Sequence, residues 1–433
     1  MSVRITTLLG AGSTLDLERS DEVITPTSGK ILDAILELKS PTLDLGMYPV
    51  MKEIHDKVIA FLGTVGSEEF RRAIHVDSLN FEELLHVVEM CYAYSYCWRK
   101  EYLYSGVYPE FGALIEPVEV AKKFQTVDFF NALNTSIKRI MEIVHDYDDD
   151  FAKHVDENCW FVDFWCKYKG WDVFNLNYDS VVEQSLDVYN DGFVPILENP
   201  DVAHFAPDTY LYNPQNLPTV SHLHGSIYLS EYHISYFNYS HSHRDLYKCM
   251  NYEIAERERM VVQCSPQTQA KEQYLALPII TGLHKTDKIT FAPFNFYHAN
   301  FANKICANNA LLIVGYSFGD LYLNQLLERI TLIHGSKTRV ILIDYMPQYI
   351  HDYNGIVRNI STNGHYTEFV SRMIQHNPLV WTKPITGEEE PPMNFESWDR
   401  PIRSKNGTLM MFICGFKNAV TMHGNRIMDF LNS

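Results

Sequence analysis

Two apolar segments in the second half of the chain limit its fold most. Ala310-Leu311-Leu312-Ile313-Val314 has no polar residue, and Arg339–Ile343 has only its opening arginine before Asp344 closes the segment. A strand with one wet face alternates polar and apolar side chains, so an unbroken apolar run marks a strand covered on both faces. Between the two runs, 321–333 carries helical spacing, and a strand–helix–strand unit of this kind pairs its strands in parallel. Arg4–Leu9, Trp171–Leu176 and Leu217–Leu223 read as further strands, with helix starts at 31–39 and 180–186. The fold class is therefore α/β: a Rossmann-like parallel sheet with helices on both faces.

The strands are separated unevenly. From 42 to 165 the pattern is helical, opened in one place by Asn80-Phe81-Glu82-Glu83, a capping-box arrangement ahead of Leu84, Leu85, Val87, Val88 and Cys91. This reads as a helical insertion between the first and second strands. Its second long helix, within 118–147, runs into Asp146, Asp148, Asp149 and Asp150. That acidic group reads as a solvated helix end, because no spaced Gly or Glu completes a calcium loop. Residues 383–400 are rich in Pro and Glu and read as a linker. Beyond them lie one strand, Thr408–Cys414, and a closing helix, 419–432. The domain reading is 1–41 with 166–382 as the nucleotide-binding domain, 42–165 as the insertion, and 383–433 as a linker and small C-terminal strand–helix extension. A strand cut off from the sheet in this way, with the apolar faces of the insertion, suggests contacts between copies in a homo-oligomer.

Charge and cysteine usage exclude several classes. With 54 acidic and 36 basic residues the net charge is −18, and no run of Lys or Arg exceeds two. Such a surface repels phosphate backbones and anionic membranes, so this chain alone is not expected to bind nucleic acid. No apolar stretch approaches the ~20 residues of a membrane span. The eight cysteines never form a C-x-x-C pair, which fits free thiols in a reducing, cytoplasmic setting and predicts no structural zinc.

Four short motifs close strand-like runs: Gly10-Ala11-Gly12-Ser13, Asn177-Tyr178-Asp179, His224-Gly225, and Gly315-Tyr316-Ser317-Phe318-Gly319-Asp320. The first suits a pyrophosphate approached by backbone N–H groups, or an ordinary tight turn, since Leu15 replaces the third glycine of the dinucleotide fingerprint. Asn177 and Asp179 suit ribose hydroxyls, and Asp179 equally suits an Asx turn capping the next helix. A neutral imidazole at His224 can accept a proton, and Gly225 leaves room for a substrate. His222 shares a strand face with His224. With His233, His241 and His243 it can be read as a zinc cluster, but no Cys or carboxylate of ligand spacing joins it. Asp320 is placed to cap a helix, and Asp344 can accept from the hydroxyls of an adenosine ribose.

In this order the motifs resemble the sirtuin-like (silent information regulator) family of NAD-consuming proteins, over roughly residues 1–345. The resemblance implies Asn177 and His224 as the catalytic pair. It implies Gly10, Ala11, Gly12, Ser13, Asp179, Gly225, Gly315, Ser317 and Asp344 as cofactor contacts. Pro278-Ile279-Ile280-Thr281-Gly282 through Lys288 also looks like the branch found in bacterial antiviral systems. Two departures bear on activity. The zinc module with paired C-x-x-C motifs is missing, and only Thr25-Pro26-Thr27 stands where deacylating sirtuins carry a Gly-Ile-Pro-Asp-Phe-Arg stretch. The implied activity is hydrolysis of NAD+ to nicotinamide and ADP-ribose rather than deacylation. The implied setting is NAD+ depletion in antiphage defence, beside a HerA-type hexameric ATPase. A non-catalytic NAD or ADP-ribose sensor, or a nuclease subunit activated by the ATPase, are the alternatives.

Overall fold

The computed structural model describes residues 4–62, 79–99, 123–168, 170–230, 245–263, 278–281, 289–345, 401–403, 407–412 and 414–433. Its central sheet contains β1 (Ile5–Leu9), β2 (Trp171–Asn175), β3 (Thr219–His222), β4 (Ala310–Val314), β5 (Arg339–Ile343), β6 (Ile402–Arg403) and β7 (Leu409–Phe412). Their order across the sheet is β6-β7-β5-β4-β1-β2-β3. All neighbours pair in parallel except β6, which runs antiparallel on the β7 edge. The α/β Rossmann-like architecture is thus present, and the unbroken apolar runs at 310–314 and 340–343 are its buried central strands.

Alternation along each strand divides the core between two faces. Leu8, Phe174, Leu311, Ile313, Val340, Leu342 and Met411 join one cluster with Phe301, Ile305, Leu323, Leu327 and Ile330, from the helices Phe294–Ala307 and Leu321–His334. Another set of contacts is aromatic. Trp160, Phe161, Phe164 and Trp165 of the helix Cys159–Cys166 pack edge-on around Phe416, at the start of the helix Phe416–Leu431. Such pairs add about 0.5–1.5 kcal/mol each beyond their buried area.

The contacts divide the chain into two compact units. One comprises Met1–Ser20, Asp148–Val262 and Phe291–Ser433, and the other Asp21–Tyr147 with Gln263–Thr290. The sequence reading divides the chain at 41/42 and 165/166. The Cys159–Cys166 helix belongs with the sheet because Phe164 and Trp165 also pack on Trp171 of β2. In the second unit the helices Ser28–Leu36, Val50–Leu62 and Phe81–Arg99 contact one another. The capping box forms as read, with Glu83 N–H on Asn80 Oδ1 (2.9 Å) and Asn80 N–H on Glu83 Oε2 (2.8 Å).

Two expectations are corrected. The strand after the linker is not detached: β7 lies in the main sheet, in parallel register with β5. Its Leu409-Met410-Met411-Phe412 run is the continuous apolar pattern of a strand covered on both faces. The acidic group at the end of the helix Thr126–Lys153 is not solvated throughout, for Asp148 and Asp150 are only 1% and 4% exposed. Asp150 accepts from the N–H and hydroxyl of Ser20, and Asp148 from those of Ser180. A second sheet is antiparallel and four-stranded, built from Phe193–Ile196, Asn199–Phe205, Tyr247–Cys249 and Leu229–Ser230. Gly282–Lys288, the histidines at 233, 241 and 243, and the linker 383–400 lie outside the described residues. No described helix is long and apolar enough to cross a membrane.

Candidate functional site

The carboxyl ends of the six parallel strands are in step. His222 pairs with Asn175, Asn175 with Leu9, Leu9 with Val314, Val314 with Ile343, and Ile343 with Phe412. At about 4.8 Å per strand this row spans roughly 24 Å. Whatever follows each strand therefore stands along one edge of the sheet. In spatial order these are His224-Gly225, Asn177, Gly10–Ser13, Gly315–Asp320, Asp344 and Gly415. The chain builds β2 and β3 on one side of β1, then β4, β5 and β7 on the other. The switch point lies between β1 and β4, where open parallel sheets form their ligand crevice.

Glycine is required at that point by close approach. A Cβ on Gly10 would lie 2.5 Å from Gly315 O, one on Gly12 would lie 2.7 Å from Gly315 Cα, and Gly315 itself has φ +58°. The turn's amides are largely occupied within the protein. Gly10 N–H donates to Val314 O (2.9 Å), Gly12 N–H to Gly315 O (3.0 Å) and Ser13 N–H to Gly10 O (2.9 Å). The sequence reads these amides as donors to a pyrophosphate. The structure leaves the exposed Ala11, whose N–H has no partner among the described residues, while the glycines bring two backbones together.

Ser13 is buried and its hydroxyl accepts from Asn177 Nδ2 (3.2 Å), which joins the first and second motifs directly. Asn177 N–H donates to Asn175 Oδ1 (3.0 Å), and its own Oδ1 has no partner among the described residues. That carbonyl can accept from a hydroxyl or a water.

Beneath Asn177 lies a buried polar layer. His222 Nδ1 donates to Asn177 O (3.0 Å), and Nε2 makes a short bond to Glu183 Oε1, from the helix Val181–Gln184. Burial opposes charge on both groups. For Glu183 the charge of His222 and its hydrogen bond prevail and hold the carboxyl below its ordinary range. For His222 burial pulls downward, but the charge and hydrogen bond of Glu183 outweigh it and raise the imidazole. Both ring nitrogens of His222 are engaged, so it serves as a clamp on the Asn177 turn rather than a zinc ligand. Sequence reasoning missed Glu183. Among the described residues no group of three or more His, Cys, Asp or Glu is placed to hold a metal ion.

Asp179 takes the Asx-turn alternative. The structure turns it inward, 1% exposed, with Oδ1 accepting from Val181 N–H (3.4 Å). The resemblance implies a contact of this carboxylate with the cofactor, and the structure places it in the buried layer behind the Asn177 turn. Burial raises its carboxyl to about 6, offset in part by the charge of His222. Burial also raises Asp148 well above the ordinary value, and the Asp179 charge adds to this. Asp148 accepts from Ser180 N–H and from the hydroxyls of Ser180 (2.8 Å) and Tyr228 (3.2 Å), so it ties down the residues that follow Asn177 and Gly225.

His224 is buried apart from about 6% of its surface, in a turn that Gly225 permits with φ +93° and a bond from its N–H to His222 O (3.2 Å). Its Nε2 lies 3.2 Å from Asp320 Oδ2. Two strands separate β3 from β4, so this contact closes across the sheet's edge rather than between neighbours. Asp320 also caps the helix Leu321–His334, as the sequence reading has it, by accepting from Tyr322 N–H (3.0 Å) and Leu323 N–H (3.2 Å). Ser317 is exposed on the same loop. Asp344 follows β5, its Oδ1 accepting from Tyr345 N–H (2.8 Å), and burial raises its carboxyl to about 6.

Residues 172–359 match the SIR2-like domain family. No curated protein matches the chain. The matched stretch is thus similar to a SIR2-like domain, a family generally of NAD-dependent enzymes, and it lies on a Rossmann-like α/β scaffold. The matched stretch holds Asn177, Asp179, His224, Gly225, Gly315, Ser317 and Asp344. The Gly10–Ser13 turn precedes it in sequence, and the register of β1 with β2 and β4 brings it to the same edge.

Proposed function

We propose that the protein hydrolyses NAD+ to nicotinamide and ADP-ribose. The observation that carries this reading is the stepped row of strand ends. It sets Asn177 against Ser13 and His224 near the switch point where the glycines of two strands meet. The residues fit a dinucleotide on physical grounds. The exposed Ala11 N–H beside the glycine crossing suits a phosphate oxygen, and the open Asn177 Oδ1 suits a ribose hydroxyl or water.

The chemistry asks little of an acid. Nicotinamide leaves from a pyridinium nitrogen, so the electron pair of the breaking C–N bond neutralises it without protonation. The ribose carbon passes through an oxocarbenium-like state, as in glycoside hydrolysis. Asn177 orients the ribose or the attacking water, and His224 takes the proton as water bonds to that carbon.

The resemblance to the antiviral branch extends the proposal to NAD+ depletion during phage infection, by a homo-oligomer working with a HerA-type hexameric ATPase. An unrestrained activity of this kind would harm its own cell, which favours gating by a partner.

The test is to incubate NAD+ with the protein, with and without such an ATPase, and to quantify nicotinamide. His224→Ala is expected to lower turnover ~10²–10⁴-fold. Bound but intact NAD+ under every condition would favour the sensor reading. A His224→Ala variant as fast as wild type would remove His224 from the mechanism.

A further inference from the structure

We propose that Asp320 is the positioning residue of a His224–Asp320 dyad. It holds the Nε2–H tautomer of His224 and thereby puts the lone pair of the neutral ring on Nδ1. The role of the dyad in turnover rests on the NAD-hydrolysing reading, while the dyad itself rests on geometry.

Asp320 has its two oxygens divided between two tasks. Oδ1 accepts from Tyr322 N–H and Leu323 N–H at the start of a fourteen-residue helix, which fixes the plane of the carboxylate. Oδ2 then faces His224 Nε2 at 3.2 Å, with both side chains nearly buried. The positive end of the helix favours negative charge at this position. An ionised carboxylate only accepts hydrogen bonds, so the ring nitrogen facing it carries the hydrogen. In a neutral imidazole the lone pair is then on Nδ1.

The loop that brings Asp320 to this place is held on both sides. The Tyr316 hydroxyl accepts from Asp320 N–H (3.3 Å) and lies 3.0 Å from Asn324 Oδ1, and Asn324 Nδ2 donates to Phe318 O (2.7 Å). Phe318 is buried with φ +57°, a conformation that bulky side chains rarely adopt. Such a conformation persists where the surroundings over-determine it, and residues of this kind cluster at active sites and ligand clamps. A helix cap alone requires none of this, because a cap reaches only its own first turn. What the closed loop adds is a carboxylate delivered across two strands to one imidazole nitrogen.

The substitution Asp320→Asn separates the two tasks. Asn is as good a cap as Asp, so Oδ1 keeps the helix start. Its Nδ2 must then face His224 as a donor, which forces the hydrogen to Nδ1 and removes the accepting lone pair. In the serine-protease triad the same exchange of Asp for Asn lowers turnover about 10⁴-fold through the wrong tautomer. For Asp320→Asn we expect kcat to fall ~10²–10⁴-fold with KM nearly unchanged. Asp320→Ser, which also caps a helix but cannot reach His224, should lower kcat as well.

The deciding measurement needs no activity. Long-range nitrogen–proton spectra of ¹⁵N-histidine-labelled full-length protein, with His224 assigned by its loss in His224→Gln, report the tautomer directly. The expected result is Nε2–H in wild type and Nδ1–H in Asp320→Asn. An Nδ1–H tautomer in wild type overturns the dyad. A wild type that cleaves NAD+ and an Asp320→Asn variant with unaltered kcat overturn its role in turnover. A wild type that leaves NAD+ intact overturns the NAD reading and that role together, and the spectrum still decides the dyad.

Discussion

Gly315→Ala tests whether the crossing of the β1 and β4 turns is what fixes the site. An added Cβ would lie 2.2 Å from Gly12 C and 2.3 Å from Ser13 N, both backbone atoms that no rotamer change can move. Two costs follow. An L-residue at φ +58° costs about 1–2 kcal/mol, and forcing atoms apart in a packed region costs about 1–3 kcal/mol more. The sum, roughly 2–5 kcal/mol, is a large share of the ~5–15 kcal/mol that holds a typical domain together. Gly407→Ala separates the terms, because Gly407 has φ +71° and no described residue within 4 Å of its Cβ position. It should show the conformational cost alone.

The assay is urea unfolding followed by tryptophan fluorescence, which reports on Trp160, Trp165 and Trp171 in the sheet unit. Gly315→Ala should unfold at a clearly lower urea concentration than Gly407→Ala. The forced shift also moves Ser13 away from Asn177 Nδ2, so NAD+ affinity should fall in Gly315→Ala and not in Gly407→Ala. If Gly315→Ala is no less stable than Gly407→Ala, the close crossing is not what these glycines serve.

The central strands were legible because burial on both faces leaves a plain signature, as at Ala310–Val314, and glycine or polar motifs mark their carboxyl ends. The row itself was also legible, since parallel order puts those ends on one edge. What escaped depends on partners distant in sequence. Asp148 and Asp150 sit in a run of acids that looks solvated, yet they hold residues 32 and 130 positions away. Asp320 could be read as a cap from its neighbours, but its contact with His224 spans 96 positions. Leu409–Phe412 has the right composition for a central strand, but a long intervening segment hid its place beside β5. The antiparallel sheet was missed because three of its strands have four residues or fewer, and the longer one, Asn199–Phe205, opens on Asn199-Pro200-Asp201 without apolar alternation.

Two further predictions concern buried carboxylates with opposite pH behaviour. Asp172 lies at the amino end of β2, fully buried, and contacts Arg4, Lys304 (3.1 Å), Thr219 (2.9 Å) and Asn308 (3.3 Å). Burial opposes its charge, but the hydrogen bond and charge of Arg4 and the charge of Lys304 prevail and hold its carboxyl below the ordinary range. Asp172→Ala should cost roughly 3–5 kcal/mol at pH 7, with a deficit that shrinks as pH falls from the unfolded value through the depressed folded one; an equal deficit at all pH values would count against the pairing. Asp344 behaves in the reverse sense. Its folded carboxyl is raised to about 6, whereas an unfolded one titrates near 3.9. Between these values the folded state holds a proton that the unfolded state has lost, so the contribution of Asp344 to stability declines as pH rises through the window. Above it the buried charge is a standing cost on the order of 1–3 kcal/mol. Asp344→Asn keeps an acceptor for Tyr345 N–H and removes that charge, so it should raise the melting temperature at pH 7.5 and leave it unchanged at pH 4. A carboxylate retained at such a cost fits a residue kept for a ligand, and the same variant should bind NAD+ more weakly at pH 7.5. Melting curves at both pH values, with an NAD+ titration at the higher one, decide the matter. Equal stabilisation at both would place the cost elsewhere than in the charge, and unchanged affinity would take Asp344 out of the nucleotide site.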